Sequence, residues 1–515
     1  MWTQRDQIQA YQFLRRRLVS ALTLGDANAP SSPSRRTVLA TVLGVVAMVL
    51  LLAGFGLFAV IKPGAPSDWR QGGAVIVEKE TGARFVIGAD GKAHPVLNYA
   101  SARLLAGGNG SKTVSVAAKT LATVARGLPL GIPDAPDSLP VSSSLFTGPW
   151  SVCSQVAAGA PAGAVPNTVA VIGPLAAGPV LLPTGDALVV RDASSTRYLV
   201  TGGTRYALGD DAAVALGLGT AQDVPVSTAF VSAVPLGRPL AVVPVERAGA
   251  AGPRVGAAST IVGQVLRTDN VGAGARFFVV RTDGLAAVTE LEAALVLGAP
   301  QNRVAYGTST PEPIDVASAD ALGAPQSAQT LPAPPSADGT NSTSAYPETV
   351  PTVRPLTDDL TAGFVVCASS PGQGQTAIIA GPALPLPAGA RPVATAPSTD
   401  PRLADAVYVA PGRGLVVASA ASPDSPQGTT YLITDLGMKY PIGSKESLSA
   451  LGYGAVRAAG VSSSLLAVLP TGPALSQAAA EVVAAGALTA VPTASTSDQP
   501  SQPAAGSGSP SPAGS

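Results

Sequence analysis

Histidine occurs once in the 515 residues, at His94, and cysteine twice, at Cys153 and Cys367. A zinc centre made from clustered imidazoles and thiolates has no ligand set to draw on, and no metal or other cofactor is expected. His94 lies directly before Pro95 in a predicted strand, with no identifiable Ser or Cys nucleophile as its partner. A structural role at a strand edge is therefore favoured over general-base chemistry. Charged residues make up 12% of the chain and cancel to a formal net charge of zero. That balance gives no general electrostatic footprint for nucleic acid. Aromatics are only 4% of the residues, so the core must be built mainly from Val, Leu, Ile and Ala.

Glycine (56) and proline (48), by contrast, are abundant. They imply many turns and loops around a compact apolar core. One long run has no charge at all: Thr37 to Ile61 reads TVLATVLGVVAMVLLLAGFGLFAVI. At about 1.5 Å per residue it can cross a hydrocarbon layer of roughly 30 Å with some tilt. A signal peptide has a shorter apolar core and an earlier start. Arg5, Arg15, Arg16, Arg17, Arg35 and Arg36 precede the run, whereas Lys62 and Arg70 follow it closely. The basic flank is expected inside and residues from Lys62 onward outside. Trp69 is expected at the outer interface. An outer location favours one disulfide between Cys153 and Cys367 over two buried thiols.

Before the span, Ile8, Tyr11, Leu14, Leu18 and Leu22 recur on one side of a predicted helix over Gln4 to Leu24. Arg15, Arg16 and Arg17 fall mostly elsewhere around it. Such a helix suits an anionic bilayer surface or a groove on a partner; a small soluble helix with a solvated face is the alternative. Ile8, Tyr11, Leu14, Arg15, Arg16, Arg17 and Leu18 are the candidate docking residues.

Beyond the span a pattern recurs four times, beginning at Phe85, Tyr198, Phe277 and Tyr431. Each copy reads as strand, tight turn with Gly, strand and short helix, and the last three helices end in Leu-Gly. Pro129-Leu130-Gly131, Pro235-Leu236-Gly237 and Pro470-Thr471-Gly472 punctuate three of the copies. Val75 to Val77, Leu188 to Val190 and Leu415 to Val417 read as additional strands of a central region. The uneven spacing argues against a solenoid. It favours an elongated domain in which the first and fourth copies, joined by Cys153 and Cys367, sit close together.

The expected fold is α+β. The divisions are a cytoplasmic helix and linker (1–36), a transmembrane helix (37–61), an extracytoplasmic domain (62–486) and a disordered tail (487–515). Within the domain, ββα-like repeats fall near 83–131, 188–240, 261–300 and 415–475, around a strand-rich core. The polar stretch 308–361 is read as a flexible surface excursion. Gly107-Gly108-Asn109-Gly110-Ser111-Lys112-Thr113 invites comparison with a phosphate-binding loop. It lacks the adjacent Gly-Lys and follows a helical stretch, so a flexible loop is the better reading.

Several segments together resemble a known family. They are Gln4-Arg5-Asp6-Gln7-Ile8-Gln9-Ala10-Tyr11 with Arg16-Arg17-Leu18, the single span, His94-Pro95-Val96-Leu97-Asn98-Tyr99-Ala100-Ser101-Ala102-Arg103-Leu104, and Pro149-Trp150-Ser151-Val152-Cys153. In that order they look like the EccB membrane component of actinobacterial type VII (ESX) secretion systems, over almost the whole chain to about Ala480. The resemblance implies a single-pass subunit of an inner-membrane complex, assembled with the EccC motor ATPase, EccD and EccE. It also implies four repeats around a core, and a disulfide. ATP hydrolysis has been suggested for the family; the failed phosphate-loop match, placed outside the cell, gives that little support. The expectation is a non-enzymatic scaffold that self-associates beyond the membrane. The alternative is a module that binds peptidoglycan, and a nucleotide hydrolase trails both.

Overall fold

The computed structural model describes residues 3–25, 33–61, 67–108, 112–161, 163–176, 180–183, 185–270, 274–329, 331, 346–356, 363–370, 376–420 and 426–484. The tail at 487–515 and most of the two linkers flanking the apolar run lie outside the described residues. The chain divides into two units, Met1–Gln71 and Gly72–Ser515. The first holds α1 (Gln4–Leu24), α2 (Pro33–Ile61) and a short 3-10 turn, Ser67–Gln71. Trp69 in that turn is only 2% exposed, which corrects its expected role as an interfacial ring. A ring that anchors at a membrane surface has to be accessible.

The second unit is α+β and strand-rich. Four of its sheets share one strand order. In the first, Val75–Glu78 pairs antiparallel with Arg84–Ile87, which pairs with Ala93–Pro95; Thr113–Val116 then returns parallel to Val75–Glu78. The other three follow suit. The second uses Asp186–Arg191, Arg197–Thr201, Thr204–Ala207 and Asp223–Pro225, with Thr352–Val353 added beside Asp186. The third uses Val265–Asn270, Gly274–Val280, Leu285–Val288 and Ile314–Asp315. The fourth uses Leu415–Ala420, Pro426–Ile433, Lys439–Ile442 and Ala459–Ser462. A helix precedes each returning strand: Tyr99–Ala106, Asp210–Ala215, Glu290–Leu297 and Lys445–Ala450. Side-chain caps start three of them, at Asn98, Thr289 and Ser444.

A seven-stranded sheet lies among these four. Its order is Val393–Ala394, Ala406–Val409, Asn167–Ile172, Trp150–Val156, Phe364–Ser370, Ala377–Gly381 and Val180–Leu181. Its central strands are buried on both faces, and alternate residues sort between two cores. Trp150, Val152, Phe364 and Val366 pack with Phe230 and Leu466, from short helices of the second and fourth sheets. Cys153, Val169, Val365 and Cys367 face the other way, under Leu384 and Leu386. The first and fourth sheets share a core through Leu104, Ile132, Leu432, Tyr440 and Leu475. The second and third do the same through Leu199, Leu216, Val265, Leu291 and Leu295.

Several expectations change. Val75 to Val77, Leu188 to Val190 and Leu415 to Val417 are inner strands of the small sheets, not of the central one. The register pairs Phe85, Tyr198 and Tyr431 with Pro95, Ala207 and Pro441, and the matching partner of Ala287 is Phe278. Phe277, the expected start of the third copy, faces the core shared with the second sheet, whereas Phe278 faces the other side. A shift of one residue in a strand exchanges its faces. Within 308–361 the structure places Ile314–Asp315, the helix Ser318–Gly323 and the strand Thr352–Val353. Ala321 and Tyr346 are buried there, and the Tyr346 hydroxyl donates to the Pro239 carbonyl at 2.7 Å. Few apolar residues suffice when they land in preformed cores, so the polar character of the stretch as a whole hid these elements. Residues 330, 332–345 and 357–361 of that stretch lie outside the described residues.

A ring-on-glycine contact recurs at the edges of three sheets. Isolated bridges match Arg126, Leu236 and Thr471, which makes Gly127, Gly237 and Gly472 equivalent. Pro129-Leu130-Gly131 is thus not the counterpart of the other two Pro-X-Gly triplets; Ala125-Arg126-Gly127 is. Tyr206 and Tyr440 lie against Gly237 and Gly472, and His94 lies against Gly127, so closely that a Cβ at any of these glycines would come under 3.0 Å from the ring. The preceding position carries a cation in two sheets. Arg205 donates from Nε to the Val234 carbonyl at 3.0 Å. Lys439 donates from Nζ to the Leu466 and Leu469 carbonyls at 2.6 and 2.5 Å. Both donate to carbonyls at the end of a short helix.

Burial pushes the Lys439 ammonium down to about 8. The unfolded lysine holds its proton up to the ordinary value near 10.5, so between these limits the unfolded state binds more protons and stability rises with pH. The melting temperature of the wild type minus that of Lys439→Met should therefore increase between pH 8 and pH 10. A difference that stays flat across this window would refute the assignment.

Candidate functional site

Three features carry the functional expectations: the basic helix α1, the apolar helix α2 and the disulfide. Helix α1 starts with a capping box. Thr3 donates to the Asp6 carboxylate from its hydroxyl at 2.7 Å and from its backbone N–H at 3.1 Å. These bonds, the hydroxyl's first, hold the Asp6 carboxyl below its ordinary value. Gly25, at φ +68°, ends the helix. Ile8, Tyr11, Leu14 and Leu18 are all exposed, as are Arg15, Arg16 and Arg17. With about 3.6 residues per turn, the four apolar residues and Leu22 fill one side of α1. Arg15 falls within that side and Arg16 and Arg17 outside it. Phe13 was missed by sequence reasoning. It is exposed, and the Arg17 guanidinium lies 5.7 Å from its ring centroid. The signal for it was the i, i+4 spacing of Phe13 and Arg17.

Helix α2 runs from Pro33 to Ile61. Large apolar side chains are exposed around it, among them Leu39, Val42, Val46, Met48 and Leu51. Among the described residues no helix is long and apolar enough to cross a membrane. The described side chains of α2 end at Gly54, so that statement does not take in 55–61.

The glycine-rich stretch at 107–113 connects the helix Tyr99–Ala106 to the strand Thr113–Val116. A phosphate-binding loop runs the opposite way, from strand to helix, so that the helix N-terminus faces the anion. Residues 109–111 lie outside the described residues. Among the described residues no group of three or more His, Cys, Asp and Glu side chains could hold a metal ion. A cavity of about 240 Å³ beside Gly107 and Gly108 is lined by Leu104, Glu446, Ser447 and Gln477 and presents no convergent charge.

Cys153 and Cys367 are bonded, 214 residues apart in sequence. They stand directly opposite each other on adjacent inner strands, the fourth and fifth, of the seven-stranded sheet. The bridge therefore does not join the first copy to the fourth, as the sequence suggested. It locks the sheet on which the second and fourth rest.

A family model described as type VII secretion system ESX-1, transport TM domain B, matches residues 1–489, and the chain belongs to that family. The ESX-3 secretion system ATPase EccB3 of Mycolicibacterium smegmatis is 29% identical over 491 residues, covering 92% of this chain and 89% of the relative. The ESX-5 secretion system ATPase EccB5 of Mycobacterium marinum is 30% identical over 495 residues, covering 93% of each. Among solved structures, a chain of an intact ESX-5 inner membrane complex matches with a TM-score of 0.64 at 26% identity, covering 94% of this chain and 96% of that one. A chain of an EccB3 dimer from the ESX-3 core complex matches with a TM-score of 0.62 at 25% identity, covering 79% of this chain and all (100%) of that one. The chain is thus an EccB component of a type VII secretion system.

Replacing Cys153 and Cys367 together by Ser should lower stability by about 2–5 kcal/mol, read as a fall in melting temperature. Intact-mass measurement of the wild type, alkylated without reductant, should show no modified thiol.

Proposed function

We propose that this chain is a single-pass structural subunit of a type VII secretion complex in the inner membrane. In this reading α1 docks on the cytoplasmic side through Ile8, Tyr11, Leu14, Leu18 and its arginines. Helix α2 crosses the bilayer, and the disulfide-locked domain from Gly72 onward stabilises the conduit outside. The observation that carries it is the division of the chain into a basic helix plus an apolar helix, followed by a body with a disulfide at its centre. Thiols stay reduced in the cytoplasm, so a bonded pair belongs outside. The uncharged run from Thr37 to Ile61 supports the span, and the arginines before it support an inner N-terminus.

The partners are an EccC-type motor ATPase, EccD-type and EccE-type subunits, the lipid bilayer and further copies of this chain. The similarity to a chain of an EccB3 dimer supports self-association. The four sheets of common strand order are, in this reading, copies of one duplicated unit. Energy comes from the motor. Although the relatives are named ATPases, the helix-to-strand direction of the 107–113 stretch favours a non-enzymatic role here.

Deleting residues 1–34 should leave the outer domain folded and abolish co-purification with the other membrane subunits; unchanged co-purification would sink the docking role. Peptidoglycan binding is the second reading, resting on the outer placement of the domain. It requires the purified protein to sediment with isolated peptidoglycan, and full recovery in the supernatant rules it out.

A further inference from the structure

His94 occupies the position that Tyr206 and Tyr440 fill in the second and fourth sheets, but its surroundings ask something more of it. The ring is held between Gly88 and Gly127, both too close for a Cβ, and its side chain is 13% exposed. Nδ1 lies 2.8 Å from the Leu128 carbonyl oxygen. Nε2 lies 3.0 Å from Asp90 Oδ1. A carbonyl and a carboxylate can only accept hydrogen bonds, whereas a neutral imidazole has one donor nitrogen and one acceptor nitrogen. Both contacts are satisfied together only when both ring nitrogens carry protons. A neutral ring sets two acceptors against each other at about 3 Å, on one side or the other.

We propose that His94 is a pH-sensitive latch. As an imidazolium it ties the turn at Asp90 to the edge segment at Leu128, and loss of its proton releases that edge. Asp90 cannot supply the missing proton, because its carboxyl is held down to about 2, first by the His94 hydrogen bond and then by the Lys92 amide. Two other cations lie nearby, and the first shares the Asp90 carboxylate. Lys92 Nζ sits 3.4 Å from Asp90 Oδ2. The Arg126 guanidinium lies 4.2 Å from the Phe85 ring centroid and 3.8 Å from Glu78.

The released edge matters to the domain. Gly127 and Leu130 donate to the Ala93 and Pro95 carbonyls, which holds the segment on the first sheet. Its outer side pairs with the chain near Val482, where Gly131 donates to the Val482 carbonyl and Ala484 to that of Pro129. The latch therefore controls how firmly the last described stretch of the domain is held. Its contribution is present while both ring nitrogens carry protons and is lost with the second of them.

The chain has a single histidine, so untagged full-length protein in detergent, labelled with 15N-histidine, reports this ring alone. Both ring nitrogens should be protonated at pH 6 and one at pH 9. Over the same range, hydrogen-exchange protection of the segment containing Gly127 and Leu130, corrected for intrinsic exchange, should fall about tenfold in the wild type and by less than about twofold in His94→Tyr. A neutral ring at pH 6, or an equal fall in the variant, overturns the proposal. Should His94→Tyr fail to fold, Asp90→Asn takes its place. An amide can donate to a neutral ring, so the pH dependence should disappear, and its persistence is equally fatal.

Discussion

Seven residue pairs join Trp150–Val156 to Phe364–Ser370, with Cys153 opposite Cys367 in the middle. Closing a loop of 214 residues is entropically costly for any single strand contact. The pairing endures because both faces are buried at once. One face receives Phe230 and Leu466 from the second and fourth sheets, and the other carries the disulfide beneath Leu384 and Leu386. The first and third sheets make no part of that core. They attach through the fourth and second, by the cores around Leu104 with Tyr440 and Leu216 with Leu295. Order therefore propagates outward from one strand pair, and loosening that pair affects every sheet.

How much of this was legible depended on the kind of signal. Hairpins announce themselves through local chemistry: a glycine turn between two apolar alternations is readable without knowing what the strands pack against. The helix face of α1 has the same local character. Parallel returning strands do not. Ile314–Asp315 has two residues and no pattern of its own, and exists because Val265–Asn270 offers it an edge. For the same reason Val75–Glu78 looked like part of a separate layer. Nothing local says that a strand will be paired on both sides. The misplacement of Phe277 for Phe278 came from counting positions through a turn of different length, where one residue decides the face.

The disulfide was legible as a pair of cysteines, but its place was not. Cys153 and Cys367 each sit in a strand that carries no repeat signal. Only the partnering of those strands, a long-range event, says which parts of the domain the bridge holds. That it locks the hub rather than two of the peripheral sheets follows from the register alone.

The edge glycines show how one unit carries different chemistry without changing its backbone. At Gly127, Gly237 and Gly472 the missing side chain makes room for a ring, and the ring sets how closely the edge segment approaches. Tyrosine fills that space with ring carbons alone. Histidine fills it too, yet brings two nitrogens, and in the first sheet both meet acceptors. The third sheet has neither: the equivalent positions are Ala286 and Ser327, and its edge keeps the same backbone bonds without a ring, Leu285 donating to the Pro325 carbonyl and accepting from the Ser327 N–H. The constraint common to all four is backbone pairing along this edge. The ring is the variable part, and a single change there converts a packing contact into one that responds to protons.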